Sequence, residues 1–273
     1  MSGEKLSRRP VTRVTGRSRE TIEDAVAVEG ALEMRIEGRA LAVTLRTPGE
    51  DEDLVRGFLA SEGLIRSRAD LAALQLVSTD CTDQPDVANV RLAPGVPLDW
   101  SKLERHFAAT AACGLCGRAH LESLRAGLDP VASGARFAGE ALLGLPDRLR
   151  AAQATFQATG GLHAAAWCEG KALEVQVLRE DVGRHNAVDK IAGWLIGRER
   201  YPANGGVLWV SGRAGAEIVL KAARARFPVL AAVGAPSSLA VDLAEAAQMT
   251  LIGFLREGRM NVYTGVERVE GAS

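Results

Sequence analysis

From Pro146 to the C-terminus, short apolar runs alternate with helical patterns, and this alternation limits the available folds more than any other feature of the chain. Strands are predicted at residues 163–168 and 173–178, joined by a Glu169-Gly170 turn, and again at 207–210, 229–233 and 250–254. Helices are predicted at 184–196, 216–226 and 238–247, after one that begins near Pro146 and carries Leu149, Ala152 and Phe156 to a Gly160-Gly161 stop. Strand–helix alternation of this kind specifies a layered α/β sheet, because each crossover helix must bury its apolar stripe against the strands it connects.

The first half reads differently. Two alternating apolar runs between residues 25 and 45 meet at Glu37-Gly38, as in a β-hairpin, and Pro48-Gly49 ends the second run ahead of an acidic helix start. Leu54, Phe58 and Leu59 share one helical face and belong to a core, and short strands at 74–77 and 87–92 complete a small α+β lobe. The expected organisation is a flexible basic arm over residues 1–20, an α+β lobe over 21–134, and the layered domain over 135–273. Of the 273 residues, 47% are hydrophobic and 25% charged, which suits a globular protein with a substantial core. The 33 basic side chains nearly cancel the 34 acidic ones, so no global field recruits nucleic acid or a membrane. The basic N-terminal run lacks the apolar segment of a secretory signal, which gives the expectation of a cytoplasmic protein with reduced thiols.

Four cysteines are present, and two of them form the motif Cys113-Gly114-Leu115-Cys116-Gly117. Cys81 and Cys168 stand alone, so no second C-x-x-C completes a four-thiolate zinc site within one chain. Glycines on both sides suit a mobile loop that presents a thiol to a partner. The helical pattern of residues 119–128 follows directly, and a helix start with Arg118 beside it favours the thiolate. The segment around residues 109–118 is expected to move between an exposed and a shielded position.

Polar residues also gather at the strand ends of the second half. The run from Arg179 to Lys190 crosses a strand-to-helix junction, where open α/β sheets place ligands. His185 and Asp189, four apart, share a helix face and could grip a ligand together; the same residues read equally as a surface ion-pair stripe behind an Asp181 cap. Ser211-Gly212-Arg213-Ala214-Gly215 and Gly234-Ala235-Pro236-Ser237-Ser238 both follow a strand and precede a helix, so the two turns would line one edge and offer N–H groups to an anion. His163 opens a strand just after Gly160-Gly161. A nucleotide deaminase would need H-x-E and a later P-C-x-x-C, but position 165 is alanine, residue 112 is alanine, and the cysteine pair precedes His163.

Taken in order, the cysteine motif, Thr159-Gly160-Gly161-Leu162-His163-Ala164, Glu180 through Lys190, Ser211-Gly212-Arg213, Ala235-Pro236-Ser237-Ser238 and Gly253-Phe254-Leu255-Arg256 with Asn261-Val262-Tyr263-Thr264 resemble the formate dehydrogenase accessory sulfurtransferases. The resemblance covers residues 23–264 and takes in Arg46-Thr47-Pro48-Gly49 and the segment 57–63 of the first lobe. It implies a cytidine deaminase-like domain without a zinc centre, a homodimer, and a part in maturing molybdenum- or tungsten-dependent formate dehydrogenase. Members accept persulfide sulfur from a cysteine desulfurase and pass it to the metal of bis-molybdopterin guanine dinucleotide, which they bind as substrate. Carried onto this chain, Cys113 bears the persulfide and Cys116 is its partner, while Phe254, Leu255, Arg256, Glu257, Gly258 and Arg259 belong to the cofactor-binding segment. Asp181, His185, Asp189, Ser211, Gly212, Arg213 and His163 are the remaining candidates for that pocket, with Lys221 as a further phosphate donor. Guanosine diphosphate should act as a partial mimic. The competing expectation is a chaperone that holds the cofactor without sulfur transfer, its cysteines binding zinc at a dimer interface.

Overall fold

The computed structural model describes residues 4–79, 84–101, 103 and 128–271. Cys81, Cys113, Cys116 and the 109–118 segment lie outside the described residues.

The N-terminal segment is a hairpin and not an arm without regular structure. β1 (Leu6–Thr15) pairs antiparallel with β2 (Ser18–Ala27), Thr15 facing Ser18 across a two-residue turn whose Gly16 has φ 59°. The basic residues that suggest an arm alternate with Val11, Thr12, Val14 and Thr15, and β-branched alternation favours a strand even when both faces stay largely wet. Lys5 anchors its base through Glu50 at 2.7 Å, and β2 runs beside the Ala154–Thr159 helix.

The small lobe follows the sequence closely. β3 (Gly30–Ile36) and β4 (Arg39–Arg46) are joined by Glu37-Gly38 at φ 49° and 78°, the positive pair that a tight hairpin turn demands. With β5 (Leu71–Val77) and β6 (Val87–Leu92) they form a sheet of order β4-β3-β6-β5. Alternate residues Leu32, Met34 and Ile36 point inward and meet Leu54, Val55 and Leu59 of the Asp51–Ser61 helix.

The larger domain is built on six strands in the order β13-β12-β11-β10-β8-β9. These are β8 (His163–Glu169), β9 (Glu174–Asp181), β10 (Val207–Val210), β11 (Val229–Ala232), β12 (Thr250–Arg256) and β13 (Arg259–Thr264). β10, β11 and β12 are parallel, and β8 is antiparallel to β10. Leu208 and Val210 face the helices Arg184–Gly197, Ala216–Arg224 and Ser238–Ala246, whereas Val207 and Trp209 face Gly139–Leu143 and Leu145–Ala151. The layered α/β class expected from the alternation is therefore present, with helices on both faces. β7 (Phe137–Ala138) and β14 (Val269–Glu270) form a separate short parallel pair.

The helix expected from Pro146 to Gly160 is broken at Gln153 (φ −85°, ψ 73°) into Leu145–Ala151 and Ala154–Thr159. Glu180 supplies the reason: its carboxylate accepts the backbone N–H of Thr155 at 3.0 Å and of Phe156 at 2.7 Å, so a side chain from β9 fixes a new helix start.

Candidate functional site

A cavity of about 420 Å³ opens between the large sheet and the Leu145–Thr159 helices. Its wall combines strand ends with the broken helix: His163 at the start of β8, Trp209 in β10, Ser211 just past it, Val233 past β11, Arg256 closing β12, and Arg150, Gln153 and Phe156 from above. Because β10–β12 are parallel, their carboxyl ends meet on this edge, where open α/β sheets hold ligands. Gly160, at φ 65°, and Gly161 turn the chain into β8 beneath the cavity.

The two predicted turns do share that edge. Ala214 and Pro236 form a bridge, Ala214 N–H donates to the Ala235 carbonyl at 3.2 Å, and Gly234 N–H donates to the Gly212 carbonyl at 3.0 Å. Ser211 is locked to β8, its N–H donating to the Ala164 carbonyl and its Oγ accepting from Ala164 N–H, both at 2.9 Å. Gly212 packs beside His163, a Cβ there standing 3.4 Å from Nδ1, an ordinary van der Waals contact. Half-burial lowers the His163 pKa, and the Arg184 charge lowers it further against the pull of Asp181, so near neutral pH the imidazole is uncharged. Phe254 takes φ 51° at a β-bulge, an uncommon conformation for a bulky residue, and the Arg256 guanidinium stands 5.9 Å from its ring.

Three candidates thus converge on the cavity: His163, Ser211 and Arg256. Of the 254–259 segment, Leu255 is fully buried in the core, and Glu257-Gly258 form the exposed β12–β13 turn with Arg259 beyond it. Gly212 and Arg213 follow Ser211 in the chain but do not line the cavity.

The acidic pair of the Arg179–Lys190 run serves the fold. Asp181 is fully buried, 2.8 Å from Lys190 Nζ, and also accepts from Thr47 N–H, Gly183 N–H and Asn186 Nδ2. It is not the helix cap; that position is Gly183. Asp189 accepts from Ser61 Oγ at 2.6 Å and from Lys221 Nζ at 2.7 and 2.8 Å. Burial pushes its pKa up while Lys221 and Ser61 pull it back. His185 and Asp189 therefore have separate partners: His185 Nε2 lies 3.0 Å from Glu217. Burial drives the His185 pKa down to about 4, outweighing Glu217, so at neutral pH that contact is a hydrogen bond to a neutral imidazole. Lys221, read from sequence as a phosphate donor, is committed to Asp189.

Arg150, Gln153, Phe156 and Trp209 line the cavity without having been singled out by sequence. No periodic signal separates Arg150 from an ordinary solvated helix face, and Trp209 reads as core; its indole N–H, which needs a partner when buried, is the one clue. Cys168 is fully buried in β8, where burial raises its thiol pKa to about 12, so it is not a nucleophile. Among the described residues no three His, Cys, Asp or Glu side chains gather as a metal site, and no helix is long and apolar enough to cross a membrane.

The FdhD/NarQ family model matches residues 27–270. The chain belongs to the FdhD/NarQ family. It is 48% identical to the sulfur carrier protein FdhD of Nocardia farcinica over 282 residues, covering 100% of this chain and 98% of that one. To the sulfur carrier protein FdhD of Sulfolobus acidocaldarius it is 40% identical over 262 residues, covering 95% and 97%. The fold is shared with a crystal structure described as a formate dehydrogenase accessory protein, from Desulfotalea psychrophila, at TM-score 0.77 and 22% identity, covering 97% of this chain and 100% of that one. The family match spans the hairpin end, the small lobe and the sheet, so the cavity and the cysteine motif both fall inside it.

Proposed function

We propose that this protein is a cytoplasmic sulfur carrier that takes persulfide sulfur from a cysteine desulfurase and delivers it to the metal of bis-molybdopterin guanine dinucleotide before that cofactor enters formate dehydrogenase. The observation that carries the reading is near-full-length identity to relatives named sulfur carrier protein FdhD. The family's cysteine motif stands in this chain as Cys113 and Cys116.

The Cys113 thiolate attacks the outer sulfur of the desulfurase persulfide; that S–S bond breaks, the desulfurase thiolate leaves, and Cys113 carries the persulfide. Cys116 thiolate then attacks Cys113 Sγ. A Cys113–Cys116 disulfide forms and hydrosulfide departs with the electron pair of the broken bond, ready to ligate the metal. A protein or low-molecular-weight thiol must reduce the disulfide before the next cycle.

The cavity suits one guanine nucleotide arm of that substrate. Arg150 and Arg256 stand exposed at its mouth for phosphate, and uncharged His163 with Ser211 offers hydrogen bonds farther in. A homodimer would present two such cavities, one for each arm. The test is activation of formate dehydrogenase in cells lacking their own carrier. Cys113→Ala should abolish activation and Cys116→Ala should reduce it; full activation by Cys113→Ala would overturn the sulfur-carrier reading, and zinc bound by the purified protein would favour a cofactor chaperone.

A further inference from the structure

Gln153, where the helix above the cavity breaks, is 4% exposed and lines the cavity wall. Its two amide atoms have different surroundings. Nε2 donates to the Leu149 carbonyl at 3.1 Å, whereas Oε1 has no hydrogen-bond partner among the described residues. A carbonyl can only accept, so the amide must turn its nitrogen to Leu149 and its oxygen away. Unlike Trp209 Nε1, which is sealed in the core, this oxygen keeps accessible surface, and the opening that so buried a residue lines is the cavity. The backbone around it is held as well: Gln153 N–H donates to the Arg150 carbonyl at 3.3 Å, its own carbonyl accepts from Gln157 N–H at 2.9 Å, and Glu180 fixes Thr155 and Phe156 just beyond. An acceptor tethered in this way is ordered before any ligand arrives, so little further entropy is lost on binding.

We infer that Gln153 Oε1 reads the base of the bound nucleotide arm, accepting an N–H from the edge on which guanine carries its imino and 2-amino groups. This rests on the proposed use of the cavity for a guanine nucleotide and names the residue that selects the base. Phe156, Leu162 and Val233 give a flat base an apolar seat, while the exposed Arg150 and Arg256 suit the phosphates. An amide oxygen accepts and never donates. Adenine has no 2-amino group and an acceptor where guanine has its imino N–H, so it leaves Oε1 unpaired or facing a second acceptor. Sites built to hydrogen-bond a ligand group reject the analogue that lacks it for this reason.

The test is calorimetry on the full-length chain with guanosine diphosphate, adenosine diphosphate and inorganic pyrophosphate, on wild type and on Gln153→Met. Methionine keeps the length of the side chain and removes the acceptor, and the Leu149 carbonyl still receives Ala152 N–H at 3.2 Å, so the helix end stays satisfied. Wild type should prefer the guanine nucleotide. Gln153→Met should weaken guanosine diphosphate about tenfold and leave adenosine diphosphate and pyrophosphate unchanged, which collapses the preference; a merely structural role would weaken all three together and overturn the inference. A readout that needs no variant uses wild type with inosine diphosphate, which lacks the 2-amino group, and 1-methylguanosine diphosphate, which lacks the imino hydrogen. At least one of the two should bind about tenfold more weakly than guanosine diphosphate. If both bind as tightly as guanosine diphosphate, or if the adenine nucleotide does, Gln153 does not read the base, while the nucleotide reading of the cavity survives. If no nucleotide binds, both readings fall.

Discussion

The helices Asp51–Ser61 and Arg184–Gly197 cross with backbone against backbone, and substituting the glycines at that crossing separates two effects of opposite sign. A Cβ at Gly193 would stand 1.7 Å from the Asp53 carbonyl oxygen and 2.8 Å from Gly57 N, and one at Gly57 would stand 1.7 Å from the Asp189 carbonyl oxygen. A carbon–oxygen approach needs roughly 3.3 Å, so Gly193→Ala must drive the helices apart by about 1.5 Å. Neither side can yield cheaply: the opposing atoms are helix backbone, and the Arg184 helix is tied to the small lobe through Lys190–Thr47 and Asp189–Ser61. Overpacking a core costs about 1–3 kcal/mol and more where backbone must shift, so Gly193→Ala should destabilise by about 3 kcal/mol or more. Helix propensity alone gives the reverse, a gain of about 1 kcal/mol for Ala over Gly. Gly197→Ala is the control, because a Cβ there meets only the movable Arg56 guanidinium at 3.4 Å; it should be neutral or slightly stabilising. Urea unfolding followed by circular dichroism reads the difference as a lower midpoint for Gly193→Ala with an unchanged slope. A Gly193→Ala midpoint equal to or above wild type would refute the close crossing.

The same interface and its neighbours give further expectations. With the His185 pKa lowered from 6.5 to about 4, the unfolded chain takes up a proton before the folded one does; stability should fall as the pH drops from about 6.5 to 4, by up to about 3 kcal/mol, and thermal melts of His185→Gln should show a flatter profile across that window. His163, also lowered, adds to the fall in the same direction. Lys190→Met leaves the Asp181 carboxylate buried without its counter-ion and should cost about 3–5 kcal/mol, much of it recovered by adding Asp181→Asn, as urea unfolding of the pair would show.

Elements whose cause is local were legible in the sequence. The Glu37-Gly38 turn, the Val207–Val210 strand and the strand-to-helix turns at Ser211 and Gly234 each carry their own signal in alternation or turn residues, and they stand where that signal puts them. What escaped depends on partners distant in the chain. The break at Gln153 is set by Glu180, which lies 25 residues from Thr155 and 24 from Phe156, the residues whose N–H groups its carboxylate accepts. Asp181 and Asp189 look like ligand groups at a strand-to-helix junction because nothing nearby in sequence announces that Thr47, Ser61 and Lys221 will close over them. For the site, the histidine after two glycines, the serine after β10 and the arginine closing β12 were identifiable as polar residues at strand ends, whereas Arg150 and Trp209 reach the cavity through tertiary packing.

Sulfur transfer through Cys113 is the centre of this account, and peptide mass mapping after incubation with a cysteine desulfurase and cysteine tests it most directly. The protein should gain sulfur on Cys113, none on Cys168, whose buried thiol stays protonated with a pKa of about 12, and the added sulfur should be lost when the cofactor is supplied. Sulfur found on Cys168 or Cys81 with Cys113 unmodified, or no added sulfur at all, would contradict it.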